Sequence, residues 1–566
     1  MRRRVGARFG VLLLGLVLVL ALAACLGSST SRHAGAAPGQ SASSASTGPR
    51  DGRPNIVLVL MDDASYDLLH TMAQARRMQA EGATYVNSHV VDSLCCPSRA
   101  AILTGRPPHL TGVLTNTPGS GRTPLGGYEA FAAHHDETST FNLALQRSGY
   151  TTAFIGKYLN GYEPGHANGT RTLPPSIPGW NTFDAVFGGG YHEWGFLQTR
   201  TSSTGALRLV RNPKPPRSSP VEVLDRHYAT NVMAGDAVSF LDAHRHDSRP
   251  YFLEVATYAP HPQLQHAYPD NPEFPSAFAD RAPPNDPRGG FCAAVVCGAL
   301  RLSDLAGYAD PRADNRPTYL LRNGATRPAP PWNRLPVTLT ARNALQQYRD
   351  RARMVQSVDR MVGRIRAAVG PDTYVVLTSD NGYHLGQLQL NGGKGTPYDF
   401  DTKVPLVVVG PGVRPGVRRQ FVSNIDLAPT FEQLAGLRRP ASVAGTSFAP
   451  SLRRRTARGD HFVFYDHTQA PVRPGEVDQD IASGGRIDVI PSYVGVRGPQ
   501  GLLVRLDLDS SAAGHRYAWE LYRYQVPFER TNVFARDHSQ PWARELMRRL
   551  RLWVGCQPVR CRAAAR

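Results

Sequence analysis

Lysine is scarce in this chain of 566 residues: it supplies four of the 64 basic side chains, at positions 157, 214, 394 and 403, and arginine supplies the rest. The formal net charge of +19 is therefore weak evidence for polyanion binding. No basic run is interleaved with aromatic side chains as in a nucleic-acid groove, so no nucleic-acid partner is expected. Long apolar runs are also missing. The stretch from Val11 to Ala24 falls short of the roughly twenty residues of a membrane span. The composition excludes collagen, coiled coil, a multispan membrane protein and a wholly disordered chain, and no internal repeat is present. What is there suits a large folded protein: 41% hydrophobic residues, with 53 glycines and 46 prolines marking many loops. The length fits one large α/β domain plus a smaller one.

Arg2, Arg3, Arg4 and Arg8 precede the Val11–Ala24 run, the pattern of a secretory signal. The run closes on Leu22-Ala23-Ala24-Cys25, which resembles a bacterial lipobox. Residues 1–25 are thus expected to be a signal peptide with lipobox, and the protein an exported cell-surface lipoprotein anchored at Cys25, or else secreted after simple cleavage. The membrane is expected as a partner only through that lipid. Residues 26–50, rich in Ser, Ala, Gly, Thr and Pro, are expected to be a flexible tether.

Cysteine is sparse as well, seven in all. In an exported protein Cys292 with Cys297, and Cys556 with Cys561, are expected as two local disulfides; a zinc site built from both pairs is the alternative. Cys95 and Cys96 are adjacent, which discourages a bond between them, and they need another explanation.

Asn55–Met61, Tyr374–Ser379 and Val404–Val409 are continuous apolar runs, the mark of strands buried on both faces of a parallel sheet. Residues 341–369 carry Met354, Val358, Met361, Val362 and Ile365 on one helical face. Strands alternating with helices predict an α/β catalytic domain over 51–440, with a large, mainly parallel sheet between helices. Shorter alternating segments from position 441, and an amphipathic helix around Trp542–Trp553, predict an α+β subdomain over 441–566. The Pro-rich stretch 263–342 is too long for an ordinary connection and is expected to rim or cover the site.

In such folds ligands bind beyond the carboxyl ends of the strands. Two acidic pairs stand there: Asp62-Asp63 after the first run, and Asp380-Asn381 after the second. They offer only oxygen atoms, which suits a hard cation, Ca²⁺ or Mg²⁺, rather than zinc or copper.

The most specific segment is Cys95-Cys96-Pro97-Ser98-Arg99, followed by Leu103-Thr104-Gly105. It resembles the signature of the type I sulfatases, in which the first Cys is oxidised to formylglycine. Gly149–Leu159, Asp62-Asp63, Ala259-Pro260-His261, Asp380–His384, and Lys394 followed by Tyr398-Asp399 match the same family in order, closest to its N-acetylglucosamine-6-sulfatase branch. The resemblance implies an alkaline-phosphatase-like fold and hydrolysis of a sulfate monoester, a sulfated small molecule or glycan. It also implies activation by a formylglycine-generating enzyme and a bound cation. Asp62, Asp63, Asp380, Asn381 and the converted Cys95 would hold the metal. Cys95, Arg99, Lys157, His261 and Lys394 would act on the ester, with His261 and Lys394 near the leaving oxygen.

The chemistry is coherent with these residue types. A hydrated aldehyde puts two hydroxyls on one carbon: one attacks sulfur, and the other, deprotonated, expels sulfate. Cys95 and Arg99 are spaced i, i+4, so on a helix they share a face, and a helix start would aim N–H groups at the anion. His384 is expected either to touch the site or to support the ligands beside it. Leu159 stands where many sulfatases have His; Asn160 and His192 are candidates to replace it. Two alternatives remain open. One is a phosphomonoester or phosphonate monoester hydrolase of the same superfamily, and the other is an inactive surface lipoprotein that binds sulfated glycans.

Overall fold

The run after Pro54 has no polar face to give to water, and the structure buries it at the middle of a ten-stranded sheet. This computed structural model describes residues 52–566 apart from 168, 284, 287, 288, 293, 458, 471–486, 510–513 and 525–528. The signal peptide, Cys25 and tether expected over residues 1–50 lie outside the described residues.

The strands follow one another across the sheet as Gly416–Ser423, Ala83–His89, Leu406–Val409, Thr373–Ser379, Asn55–Met61, Tyr251–Ala256, Thr151–Lys157, Thr182–Val186, Leu197–Thr201 and Leu207–Arg211. Only Leu406–Val409 and Leu197–Thr201 run against the others. The third apolar run is therefore a strand, but an antiparallel one, and it starts at Leu406 rather than Val404. Pro405 has no N–H for a ladder bond, which delays the strand.

Side chains alternate across the central strand: Val57, Val59 and Met61 enter one core, Ile56, Leu58 and Leu60 the other. The first core is closed by the Ala341–Ala368 helix through Met354, Val358, Met361, Val362 and Ile365. Each of these fully buried side chains is worth roughly 1.5–3 kcal/mol of transfer free energy. Thr340 caps that helix by accepting the Asn343 N–H. The second core holds Phe141, Phe252 and Phe431.

A six-stranded antiparallel sheet forms the smaller part, in the order Thr326–Pro328, Thr318–Leu320, Tyr517–Arg523, Gly501–Asp507, Tyr493–Gly498 and Val463–His467. The first two strands come from the 263–342 segment, which thus contributes an edge hairpin to this sheet. Pro541–Trp553 packs Leu546, Leu550 and Trp553 against it, and Trp553 stacks on Phe464 at 4.5 Å. Both local disulfides form, Cys292–Cys297 and Cys556–Cys561, in place of a zinc site.

Candidate active site

Strand register brings the two acidic pairs together. Met61 pairs with Ser379 in the parallel ladder, so Asp62-Asp63 and Asp380-Asn381 leave the sheet side by side. Asp63 takes a left-handed conformation, φ 59°, and its N–H donates to Asp380 Oδ1 at 3.2 Å. Asn381 Nδ2 donates to Asp63 Oδ1 at 2.6 Å. Ligand oxygens of Asp62, Asp63 and Asp380 lie within 4.8 Å of one another, all fully buried.

Cys95 begins the Cys95–Thr104 helix, every residue of which is buried. Its Sγ lies 3.0 Å from Lys394 Nζ, 3.3 Å from Lys157 Nζ and 3.5 Å from Asp62 Oδ1. The ammonium groups also bind carboxylates: Lys157 donates to Asp62 Oδ2 at 2.5 Å, and Lys394 to Asp63 Oδ1 at 2.7 Å. Burial, with Asp62 adding to it, pushes the Cys95 thiol well up against the pull of the two lysines. The unconverted side chain is thus a neutral thiol, a weak nucleophile. Burial alone would raise Asp62, but Lys157, His261 and Arg99 hold it below the usual carboxylate range.

Arg99 is one turn below Cys95, as its spacing predicts, but its donors go elsewhere. Nε donates to Asp380 Oδ2 at 2.8 Å and Nη1 to the Lys157 carbonyl at 2.7 Å. Nη2 makes no hydrogen bond among the described residues and lies 3.7 Å from Asp62 Oδ1. Of the N–H groups expected to point at an anion from the helix start, two have partners within the protein. The Cys96 N–H goes to Asn116 Oδ1 at 2.8 Å, Pro97 has none, and the Ser98 N–H goes to Leu94 O at 3.0 Å.

His261 follows a cis Ala259–Pro260 bond. Its Nδ1 donates to the Pro262 carbonyl at 2.6 Å, which leaves Nε2 facing Asp63 Oδ2 at 3.6 Å. His384 lines a small recess together with Lys394. Its Nδ1 lies 3.0 Å from both Asp401 oxygens, and its backbone pairs with Gly393, next to Lys394.

The residues present fit a hard divalent cation. Asp63 Oδ2 and Asn381 Oδ1 are buried oxygens without a hydrogen bond among the described residues, which buried polar atoms rarely tolerate, and the donor set is all oxygen.

Leu159 packs in the second core. Of the two candidates to replace a histidine there, Asn160 accepts the Tyr191 hydroxyl at 3.3 Å. His192 is half-buried, and its neighbour Tyr191 is the residue that meets Lys157. Sequence reasoning missed Tyr191, Arg351 and Asp401. Tyr191 and Arg351 act through contacts distant in the chain, and Asp401 through His384 and Thr396, 17 and 5 residues before it; only the coincidence of buried polar residues in helical or turn positions could have marked them.

A family model described as Sulfatase matches residues 54–437. The chain is 31% identical to the N-acetylglucosamine-6-sulfatase of Capra hircus over 73% of this chain and 66% of that protein, and 31% identical to that of Homo sapiens over 73% and 67%. It thus spans about two thirds of the length of these relatives. It is 24% identical to the N-acetylglucosamine-6-O-sulfatase of Bacteroides thetaiotaomicron over 88% of this chain and 86% of that one. Among solved structures, one in complex with its substrate D-glucosamine-2-N,6-O-disulfate gives a TM-score of 0.58 at 20% identity, covering 88% of this chain and 97% of the other. A phosphonate monoester hydrolase from Silicibacter pomeroyi gives 0.56 at 18%, covering 89% and 96%. The fold is the alkaline-phosphatase-like α/β architecture expected from the sequence. The chain belongs to the sulfatase family.

Proposed function

We propose that this protein hydrolyses a sulfate monoester on a carbohydrate of the N-acetylglucosamine-6-sulfate kind, releasing inorganic sulfate, with Cys95 as the formylglycine precursor. One observation carries the reading: the Cys95 sulfur is in reach of both the Lys157 and Lys394 ammonium groups and of Asp62, one of a cluster of three buried carboxylates. The substrate class rests on the similarity to the N-acetylglucosamine-6-sulfatases.

When present, the hydrated aldehyde supplies an oxygen nucleophile and a second hydroxyl whose deprotonation releases sulfate. A divalent cation held by Asp62, Asp63, Asp380, Asn381 and the converted Cys95, Ca²⁺ or Mg²⁺, supplies Lewis acidity at the sulfate oxygens. The side chains do the rest. Lys157 and Lys394 neutralise the ester's charge, which otherwise repels a nucleophile. Arg99 fixes Asp380 and the Lys157 carbonyl, and its Nη2 is left for the reacting group. His261 has its Nδ1 proton committed to the Pro262 carbonyl, so Nε2, which faces Asp63 Oδ2, is the atom that delivers a proton to the leaving oxygen.

The same reading makes the protein an exported lipoprotein anchored at Cys25, with residues 26–50 as tether, 51–440 as catalytic domain and 441–566 as subdomain. It needs a formylglycine-generating enzyme in the producing cell. Peptide mass spectrometry of protein from the native host tests it. The tryptic peptide ending at Arg99 should carry an aldehyde at Cys95, localised by fragmentation because Cys96 is in the same peptide. The protein should turn over N-acetylglucosamine-6-sulfate in preference to phosphate esters. A free thiol together with absent turnover would sink the proposal.

A further inference from the structure

No recognised motif includes Tyr191, yet it touches two of the groups assigned above. It lies on the Gly188–His192 turn and is 7% exposed. Its ring centroid is 4.8 Å from Lys157 Nζ. The same ring meets the His261 imidazole at 4.6 Å between centroids, tilted by 57°. Tyr258 stands edge-on behind it at 4.7 Å, 5.8 Å from the same ammonium, and is fixed by its own hydroxyl donating to the Val186 carbonyl at 2.8 Å. The Tyr191 hydroxyl donates to Asn160 Oδ1 at 3.3 Å. Lys157 and Tyr191 both line a recess of about 110 Å³.

A buried ammonium needs a favourable surround, and most groups that supply one would interfere here. A carboxylate in place of Tyr191 would draw Lys157 from Asp62 and repel a sulfate. An aromatic face attracts the cation without taking up its N–H donors, and Lys157 has three. One goes to Asp62 and one to Cys95, which leaves the third for an anion. The ring also stops His261 from turning about the bond that Pro262 fixes at one end.

We propose that Tyr191 is a positioning residue for the reaction: its ring orients Lys157 and His261, and its hydroxyl serves only to hold the ring through Asn160. This rests on the sulfate-ester reading above. Three proteins test it: wild type, Tyr191→Phe and Tyr191→Leu. Each is measured for kcat and KM on a sulfate ester, for inorganic sulfate affinity by calorimetry, and for thermal unfolding.

Tyr191→Phe should lower kcat roughly two- to fivefold, the worth of one long neutral hydrogen bond. Tyr191→Leu should lower kcat about thirtyfold, the worth of a desolvated cation–π contact, with KM rising by no more than the factor by which sulfate affinity falls. It should also weaken inorganic sulfate binding about tenfold through the displaced ammonium. A loss of kcat and sulfate affinity in Tyr191→Leu while its unfolding temperature stays near that of the wild type is what a purely structural role would not give. Unchanged kcat and sulfate affinity in Tyr191→Leu would overturn the assignment, as would a loss in Phe equal to that in Leu. Should Tyr191→Leu not fold, Tyr191→Phe decides alone, and a loss beyond about tenfold overturns the ring's role. A wild type that binds sulfate but turns over no sulfate ester would defeat the functional reading, and the sulfate affinities would still decide the role of Tyr191.

Discussion

The Arg351 guanidinium donates to the backbone carbonyl of Asp63 from the middle of the Ala341–Ala368 helix. It also donates to Ser65 Oγ at 3.1 Å and to the Tyr383 carbonyl at 3.4 Å. Fully buried, it lies 4.8 Å from the Tyr383 ring and 5.6 Å from that of Phe274. One cation therefore ties the two strand ends that carry the acidic pairs, and it holds the left-handed turn at Asp63. Arg351→Met should cost about 3 kcal/mol, because it strands buried acceptors, and should weaken metal binding. Arg351→Lys should recover part of both. Thermal unfolding and calcium titration of the two variants check this; wild-type values for Arg351→Met would remove Arg351 from the site's support.

Cys95→Ala should abolish sulfate ester turnover and leave the fold intact, since a fully buried thiol is replaced by a smaller apolar group. Circular dichroism and a discontinuous sulfate-release assay on the same preparation decide it. Ordinary turnover by the variant would exclude the formylglycine mechanism.

Asp380→Asn keeps the shape of the side chain beside Arg99 Nε and removes one charge from the oxygen cluster. Metal content after dialysis should fall from one ion per chain to well under half, and activity should fall with it. Elemental analysis provides the number, and undiminished metal would take Asp380 out of the ligand set. Chelation of the wild type should likewise remove activity, and comparing Ca²⁺ with Mg²⁺ in restoring it identifies the ion.

Burial pushes His89 down to about 3 from 6.5, against the pull of Asp399, with the Tyr465 hydroxyl 3.0 Å from its Nδ1. The unfolded chain binds a proton near pH 6.5 that the folded chain refuses until about pH 3. Stability from this residue is therefore complete above pH 6.5 and lost progressively as the pH falls toward 3. The slope approaches 1.4 kcal/mol per pH unit. Buried carboxyls such as Asp92, raised by burial to about 6, act with the opposite sign. The test is therefore the difference between wild type and His89→Gln across pH 4 to 7. The variant's melting temperature should fall less steeply with acid; parallel curves would refute the assignment.

The sequence alone determined the strands that carry the site. Asn55–Met61 and Tyr374–Ser379 are continuous apolar runs bounded by turn residues, the mark of strands buried on both faces of a sheet. Their last residues place Asp62 and Asp380 at the edge where ligands bind. The Cys95 segment, the helix over 341–368 and both local disulfides were legible for similar reasons, because each is encoded within a few residues or a few turns. The direction of Leu406–Val409 was not legible, since an apolar run reads the same whichever way the strand points. Nor was the edge hairpin at Thr318–Pro328, which pairs with Tyr517–Arg523 two hundred residues away.

Only the tertiary structure decided how the donors around Cys95 are shared. The spacing put Arg99 on the right face, but which oxygen its guanidinium reaches depends on Asp380, and two of the helix-start N–H groups are claimed by Asn116 and Leu94. Tyr191 and Arg351 meet the site through a turn and a helix that local sequence marks only as buried. A cation's partners in a dry interior are set by whatever the packing brings within about 3 to 5 Å. That proximity is a property of the assembled fold, and no window of sequence contains it.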